Sequence, residues 1–463
     1  MKFTRSKVRC KTAAIPVLRF EEESLTSFSG LIVFQVLFLE LNLKSRIGQC
    51  FSHLCRTPIF SDCSLIVLLV VHLLLGYRRL RHIKYYRDDP MVLRLLGLSI
   101  LPDASTLSRR LAQVDDRSIT KLGLLNQSLV LDRLAESKFS RVTLDFDGTV
   151  ISTTRHAEGV ALGWNRKKRG LRSYYPLLCS VAQTSQILQT LHRSGNVHDS
   201  NGAKEFMLEC IALVRKALPK ATIEARFDSA FFSQEIVNAL EEAGVLYSIS
   251  VPVNRYKVIS NLIDHRCRWT TLNNDCSYFE SQHQMDSWKI GTRRFIFVRQ
   301  SILVQTAGPL QLDLFEPRDV RYQYKVILTN KPIGAASVVS FHDGRGSQEG
   351  IFAELKSQLP LGYIPNNTWN ANKTYLLCVF MAHNLGRELQ MRHGVALNRS
   401  GKKRPAHWRF VQLETLRKTV IQHAGRLIRP QGKLTLSMSV NTAVKNQFYI
   451  YLGMSAVPMA AAS

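Results

Sequence analysis

Hydrophobic spacing divides the chain into two styles of patterning. Residues 1 to about 135 are helical in pattern and poorly punctuated: Gly30 to Leu43 and Ser64 to Gly76 are dense in Leu, Val and Ile and predict buried helices. Asp103 to Leu111 predicts a shorter helix with Ser105 as N-cap and paired arginines, a weak match to the second helix of a helix-turn-helix. From Arg141 the pattern changes. In R-V-T-L-D-F-D-G-T-V, Val142, Leu144 and Phe146 alternate with polar neighbours and Gly148 follows as a turn residue, which predicts a strand ending on carboxylates. Extended segments follow at Glu158 to Trp164 and Ser173 to Ala182. A helix is expected over Ala203 to Leu218, a strand over Thr222 to Asp228, a helix over Ser233 to Gly244 and a strand over Val245 to Val251. Three strands, helix, strand, helix, strand is the order of an α/β layered fold.

Further on, Arg294 to Arg299 and Tyr322 to Thr329 alternate like strands, so residues 253–335 are expected to form a mostly β insertion. The expected organisation is a helical region at 1–135 with possible DNA-binding character, a first core part at 136–252 and that insertion. A helix and the rest of the core follow at 336–392, and a basic region at 393–463. Phe341 to Leu359 carries helical spacing; at 100° per residue Arg345, Glu349 and Lys356 fall at about 0°, 40° and 20°. His342 joins this row at about 60° if the helix starts early, whereas Glu354 lies on the opposite face. Asn370 to Leu389 predicts another helix, and Leu434 to Gly453 two short strand-like runs.

Charge changes the picture. The 463 residues carry 62 Lys and Arg against 35 Asp and Glu, a net charge of +27, although the apolar fraction of 45% is ordinary. Such an excess favours a polyanion, nucleic acid or an anionic membrane surface. Tyr77 to Arg87 (Y-R-R-L-R-H-I-K-Y-Y-R) sets cations beside aromatics, which suits a phosphate-tracking face and equally a solvated helix. Arg387 to Lys433 holds twelve Lys and Arg against two Glu, with Trp408 and Phe410 interleaved, and suits a DNA backbone or a solubilising tail. Nine Cys without a C-x-x-C pair indicate neither a disulfide framework nor a zinc site. Leu65 to Leu75 is too short to span a bilayer, and no cleavable leader is evident, so a reduced, cytoplasmic protein is expected.

Candidate chemistry centres on carboxylates. Asp145 and Asp147 are two apart and project to one side of their strand. They either cap a turn or share a cation. Asp147, Asp228 and Glu349 form a set of two strand-end aspartates and a helix glutamate flanked by Arg345 and Lys356. Hard carboxylates without His or Cys suit Mg²⁺ or Mn²⁺, and three can hold two ions about 3.5–4 Å apart for phosphoryl chemistry. The basic turn Asn165 to Gly170, with Lys167, Lys168 and Arg169, suits phosphate.

These residues resemble the DDE transposases of bacterial insertion sequences. The D-G-T at Asp147 and F-D-S at Asp228 match that family's first and second motifs. His342, Arg345, Glu349 and Lys356 match the third motif, Tyr-x2-Arg-x3-Glu-x6-Lys, with His in place of Tyr. The resemblance spans roughly residues 141 to 390. It implies a ribonuclease-H-like catalytic core interrupted by a β insertion, with Asp147, Asp228 and Glu349 as catalytic metal ligands. It also implies double-stranded DNA as partner, both the element's terminal inverted repeats and the target, cleavage followed by strand transfer, and a dimer on DNA. DNA contacts are expected from His342, Arg345 and Lys356; Trp288 would receive a base expelled from the stack, unless it is core. D-F-D-G-T-V also matches the first motif of haloacid-dehalogenase-type phosphatases, with Asp145 as nucleophile, but their later acidic motif is missing. A non-catalytic basic DNA-binding protein is the third alternative.

Overall fold

The computed structural model describes residues 15–54, 59–163, 170–198, 201–285, 288, 291–302, 322–393 and 408–454. Its first part is helical: α1 (Leu31–Glu40), α2 (Leu43–Cys50), α3 (Asp62–Leu74), α4 (Pro90–Leu96), α5 (Ala104–Ala112) and α6 (Asp116–Ser137). Helix α3 starts where Ser61 Oγ accepts from Ser64 N at 3.1 Å, and it is buried from Leu65 through Leu74. The predicted span Gly30 to Leu43 breaks at Asn42, which takes a left-handed conformation between α1 and α2. Helix α5 has Asp103, not Ser105, at its N-cap.

The second part is built on one nine-stranded sheet. Its strands are β1 (Arg141–Gly148), β2 (Leu177–Val181), β3 (Gln186–Leu191), β4 (Thr222–Phe227), β5 (Leu246–Val251), β6 (Thr270–Thr271), β7 (Cys276–His283), β8 (Arg293–Ser301) and β9 (Tyr322–Thr329). Spatial order is β6-β7-β8-β9-β5-β4-β1-β2-β3. Within it, β1, β4 and β5 are parallel, while β2 runs antiparallel to β1 and β3 antiparallel to β2. This is the mixed sheet of a ribonuclease-H-like core. The strands after Val253 continue that sheet: β9 pairs antiparallel with β5, Val326 opposite Val251.

One expected strand is displaced. Of Glu158 to Trp164, the described residues contribute only Ala161–Leu162, to a separate three-stranded sheet with Ile151–Thr153 and Arg172–Tyr174. The third core strand is β3, which pairs with β2 after a turn at Ser185, whose φ is +52°. At Ile187 this edge strand is covered by a buried amide: Asn384 Oδ1 accepts from Ile187 N and its Nδ2 donates to Ile187 O, both at 2.8 Å.

Alternation sorts the sheet's two faces. Val142, Leu144 and Phe146 of β1 join Ile223, Ala225 and Phe227 of β4 in the apolar core, with Phe146 and Phe227 stacked at 5.1 Å. Helices α7 (Ala203–Ala217) and α8 (Gln234–Glu242) cover that side, and α9 (Lys257–Asp264) adds Ile259 and Ile263 to the same core. The other face meets α10 (Ala335–Asp343), whose Ala335, Val338 and Val339 pack on Ile296, Val298 and Ile327.

Beyond α10 lie α11 (Gly346–Ser357) and the long α12 (Trp369–His393). A buried pair of Arg387 on α12 and Glu354 on α11 ties these two together, and Leu413 N donates to Glu354 Oε1 at 3.1 Å. Trp408 packs edge-on against Phe139 and Phe410 lies under the Arg387 guanidinium, so both aromatics are engaged by the protein itself. The C-terminal stretch pairs Gly425–Ile428 with Thr435–Met438 and then with Leu25–Thr26. The second of the two strand-like runs expected there is instead helix α13 (Thr442–Tyr451), capped by Asn441 Oδ1 accepting from Ala443 N at 3.0 Å.

Candidate active site

The polar face of β1 and β4 is a ladder of three rungs. Parallel register sets Thr143 against Glu224 and Asp145 against Arg226. One residue beyond the last paired positions, Phe146 and Phe227, the chain reaches Asp147 on β1 and Asp228 just after β4, at the carboxyl ends of neighbouring parallel strands, where ligands of open α/β sheets bind.

The first two rungs are buried and matched in charge. Glu224 is fully buried and is held by Lys331 Nζ, by Arg141 and by Thr143 Oγ1 at 3.1 Å. Burial pushes its carboxyl up, but the Lys331 and Arg141 cations outweigh that and hold it below the ordinary carboxylate value. Asp145 takes a two-pronged bond from Arg226, Nε to Oδ1 at 2.5 Å and Nη2 to Oδ2 at 2.6 Å. Burial raises the Asp145 carboxyl, and Arg226 offsets part of that rise. An aspartate committed this way, with 1% of its side chain exposed, cannot attack a phosphate, which removes the structural basis for a phosphatase nucleophile.

Arg226 does more than neutralise. Its Nη1 donates to Phe341 O at 2.9 Å, at the end of α10, and Gln348 Nε2 of α11 donates to Asp145 O at 3.0 Å. The corner between α10 and α11 is therefore fastened to the middle rung. Gly344 lies in that corner because a Cβ there would collide with Arg226 Nη1.

The outer rung differs. Each carboxylate is oriented by a following backbone N–H: Gly148 N donates to Asp147 Oδ1 at 2.8 Å, and Ala230 N to Asp228 Oδ1 at 2.9 Å. Arg345, the N-cap of α11, lies 3.6 Å from Asp147 Oδ2 through one Nη and 3.9 Å from Glu349 Oε1 through the other. One guanidinium thus brings Asp147 and Glu349 to a common place. Glu349 is 71% exposed on the first turn of α11, and Lys356 is exposed on the last.

The predicted four-residue row is split. The helix breaks between Asp343, the last residue of α10, and Gly346, the first of α11, which leaves His342 on the earlier helix. His342 is 1% exposed, and its ring nitrogens meet Ser250 Oγ at 2.8 Å and Ser248 Oγ at 2.9 Å on β5. Burial, with Lys325, Arg345 and Arg226 nearby, holds its pKa well below the ordinary imidazole value. A neutral ring packed against β5 does not reach DNA phosphate. Trp288 is also core, with Phe232 at 5.0 Å and the Arg293 guanidinium at 5.4 Å, so it is not poised to receive a base. Lys167, Lys168 and Arg169 lie outside the described residues.

Among the described residues no three His, Cys, Asp or Glu side chains converge to hold a metal as they stand. The donor set nonetheless fits a hard cation: two carboxylates follow the last paired residues of neighbouring parallel strands, and a third sits on a long, exposed side chain that shares one arginine with Asp147. Arg226, Lys331 and Gln348 were not anticipated. Arg226 alone leaves a trace in sequence, the alternation T-I-E-A-R-F-D, which puts Glu224, Arg226 and Asp228 on one face.

A ribonuclease-H-like sheet with aspartates at the ends of β1 and β4 and a glutamate on a following helix is the architecture of a DNA-cutting transposase. The profile of the family described as "Transposase DDE domain group 1" matches residues 11–455, and the chain belongs to that family. Its activity is accordingly DNA cleavage and transposition. No curated protein matches the sequence. Among solved structures, a piggyBac transposase synaptic complex with hairpin DNA is 11% identical, with a TM-score of 0.37, over 77% of this chain and 75% of that one. A Mos1 transposase paired-end complex with the left transposon end is 10% identical, with a TM-score of 0.18, over 42% and 60%. Among the described residues no helix is long and apolar enough to cross a membrane.

Proposed function

We propose that Asp147, Asp228 and Glu349 are the metal ligands of this transposase and that Mg²⁺ or Mn²⁺ is the ion. The observation that carries this is the outer rung: two aspartates end adjacent parallel strands, and Arg345 links one of them to Glu349. When bound, a pair of such ions activates the attacking oxygen and steadies the leaving one.

The chain's own groups set the geometry. Gly148 N–H and Ala230 N–H aim the two aspartates, and the Arg226–Asp145 pair holds the α10–α11 corner that delivers Glu349. Arg345 is placed to bind a phosphate oxygen next to the scissile one. Water displaces the 3′-oxygen of a phosphodiester at the element's terminal inverted repeat. The exposed 3′-hydroxyl then attacks a target phosphodiester in line, its proton leaving as the target strand's own 3′-oxygen is expelled and becomes a hydroxyl, and no protein side chain becomes covalently bound. Two ends handled together call for a dimer on DNA, working in the cytoplasm and associated with the nucleoid when bound.

The test is cleavage of a duplex carrying the element's own end, with Mg²⁺ and with chelator. Metal-dependent nicking that produces a 3′-hydroxyl is expected. Cutting that persists in chelator, or that survives Glu349→Gln, sinks the assignment.

A further inference from the structure

The basic stretch of the helical region and the catalytic helix meet. Arg78 Nη2 donates to Ser357 O at 2.9 Å, on the last turn of α11. Just beyond, a short 3₁₀ segment, Leu80–Tyr85, carries Arg81 and Lys84, with Arg79 at its N-cap. Its apolar side is pinned: Leu80, Ile83 and Tyr86 are buried, and the Tyr86 hydroxyl meets His72 Nδ1 of α3 at 2.7 Å. Its outward side holds Arg78, Arg79, Arg81 and Lys84, all exposed.

Neighbouring cations in this region have acidic partners, Arg87 with Asp103 and Arg110 with Asp62. Among the described residues Arg78, Arg79, Arg81 and Lys84 have no carboxylate in ion-pair range, so like charges are gathered on a rigid turn. Self-repulsion of that kind is relieved by a polyanion. Along α11, Arg345 and Lys356 are eleven residues apart, about 16 Å at 1.5 Å per residue, which is a few phosphate spacings. Cations therefore stand at the start of α11, at its end and on the turn docked against that end.

We infer that this turn is a phosphate-binding extension of the active site: Arg79, Arg81 and Lys84 take the backbone of duplex DNA that runs from the scissile phosphate along α11 past Lys356. The inference rests on the proposed placement of the scissile phosphate at Asp147, Asp228 and Glu349. It gives the helical region a role in holding substrate that requires no recognition helix.

The experiment is the salt dependence of binding to the element-end duplex, measured in chelator so that cutting plays no part. The R79Q/R81Q variant is compared with wild type and with K216Q/K220Q, which removes two exposed cations from and just after α7, the helix on the sheet's opposite side. For R79Q/R81Q the slope of log K against log salt should fall by about 2, with binding weakened on the order of tens of times near 0.1 M salt. K216Q/K220Q should keep the wild-type slope, and thermal melting should be the same in all three. A wild-type slope in R79Q/R81Q overturns the inference, as does an equal loss in K216Q/K220Q, which would reduce the effect to net charge. Wild type that binds duplex yet never cuts it would instead count against the proposed metal ligands and leave this result readable.

Discussion

The inner and outer rungs of the β1–β4 face come from the same two strands with the same alternation, yet they do opposite things. Inside, each carboxylate meets cations: Asp145 has Arg226, and Glu224 has Lys331 and Arg141. Outside, one residue past the last paired positions of the two strands, the chain carries Asp147 on one and Asp228 just after the other. Burying an ion needs a partner of opposite sign, so the inner rungs serve the fold. Setting two like charges side by side at a solvent edge costs stability, and such an arrangement is kept where a cation is to be bound.

The largest effect separates the rungs by activity. Asp147→Asn, Asp228→Asn or Glu349→Gln should each reduce cleavage below detection, and the triple variant should be no worse than any single one, because ligands of one centre act as a unit. Gel assays of end cleavage read this directly. Substantial cutting by any single variant would move the chemistry elsewhere.

Stability should show the reverse pattern. Arg226→Leu strands the buried Asp145 charge and should cost about 3–5 kcal/mol in denaturant unfolding. The double variant Asp145→Leu/Arg226→Met should recover much of that, since an apolar pair of similar volume removes the charge as well as its partner. If the double variant is no more stable than the single, the pair is not what makes the middle rung costly to break.

Acid should strain the buried side too. Burial holds His72, His192 and His383 down to about 3, and His342 well below its ordinary value, so all four fold as neutral rings. Their folded pKa values lie below the unfolded value of 6.5. The unfolded chain therefore takes up protons first, and stability falls as pH drops below about 6.5. At pH 5.5 each such histidine should remove about 1.4 kcal/mol relative to alkaline pH. His342→Gln should lessen the fall by about one histidine's share; an unchanged profile would mean that ring is protonated in the fold.

How much of this was legible in sequence follows from what is local. Alternation in R-V-T-L-D-F-D and T-I-E-A-R-F-D predicts both strands and aims Asp147 and Asp228 the same way. The i, i+4 spacing of Arg345 and Glu349 survives in α11. Pairing across strands is not local: that Arg226 faces Asp145 depends on β4 lying next to β1, which residue order alone does not state. The break at Gly344 hid for a related reason. Gly tolerates a helix in pattern, and the close approach of Arg226 Nη1, which leaves no room for a Cβ at Gly344, is not visible in residue order. His342 and Trp288 suited functional positions by spacing or type, but burial decides such cases, and both are core.

The smallest expected effect is the sharpest test of the comparison, because it applies one substitution to two rungs. Asp→Asn keeps shape and one acceptor oxygen while removing a charge. At Asp228 the side-chain oxygen can still accept from Ala230 N, so the turn at Ser229–Phe231 stays capped. One of the two negative charges that the strands carry just past Phe146 and Phe227 is removed. Without metal, Asp228→Asn should therefore be as stable as wild type or more so, by a few tenths to about 1 kcal/mol. At Asp145 the same change takes a charge from a buried two-pronged bond and leaves Arg226 undercompensated, so stability should fall by about 2–3 kcal/mol. Melting curves in chelator read both signs on one scale. If Asp228→Asn destabilises as much as Asp145→Asn, the outer aspartates are structural like the inner one, and the division of labour along the two strands is wrong.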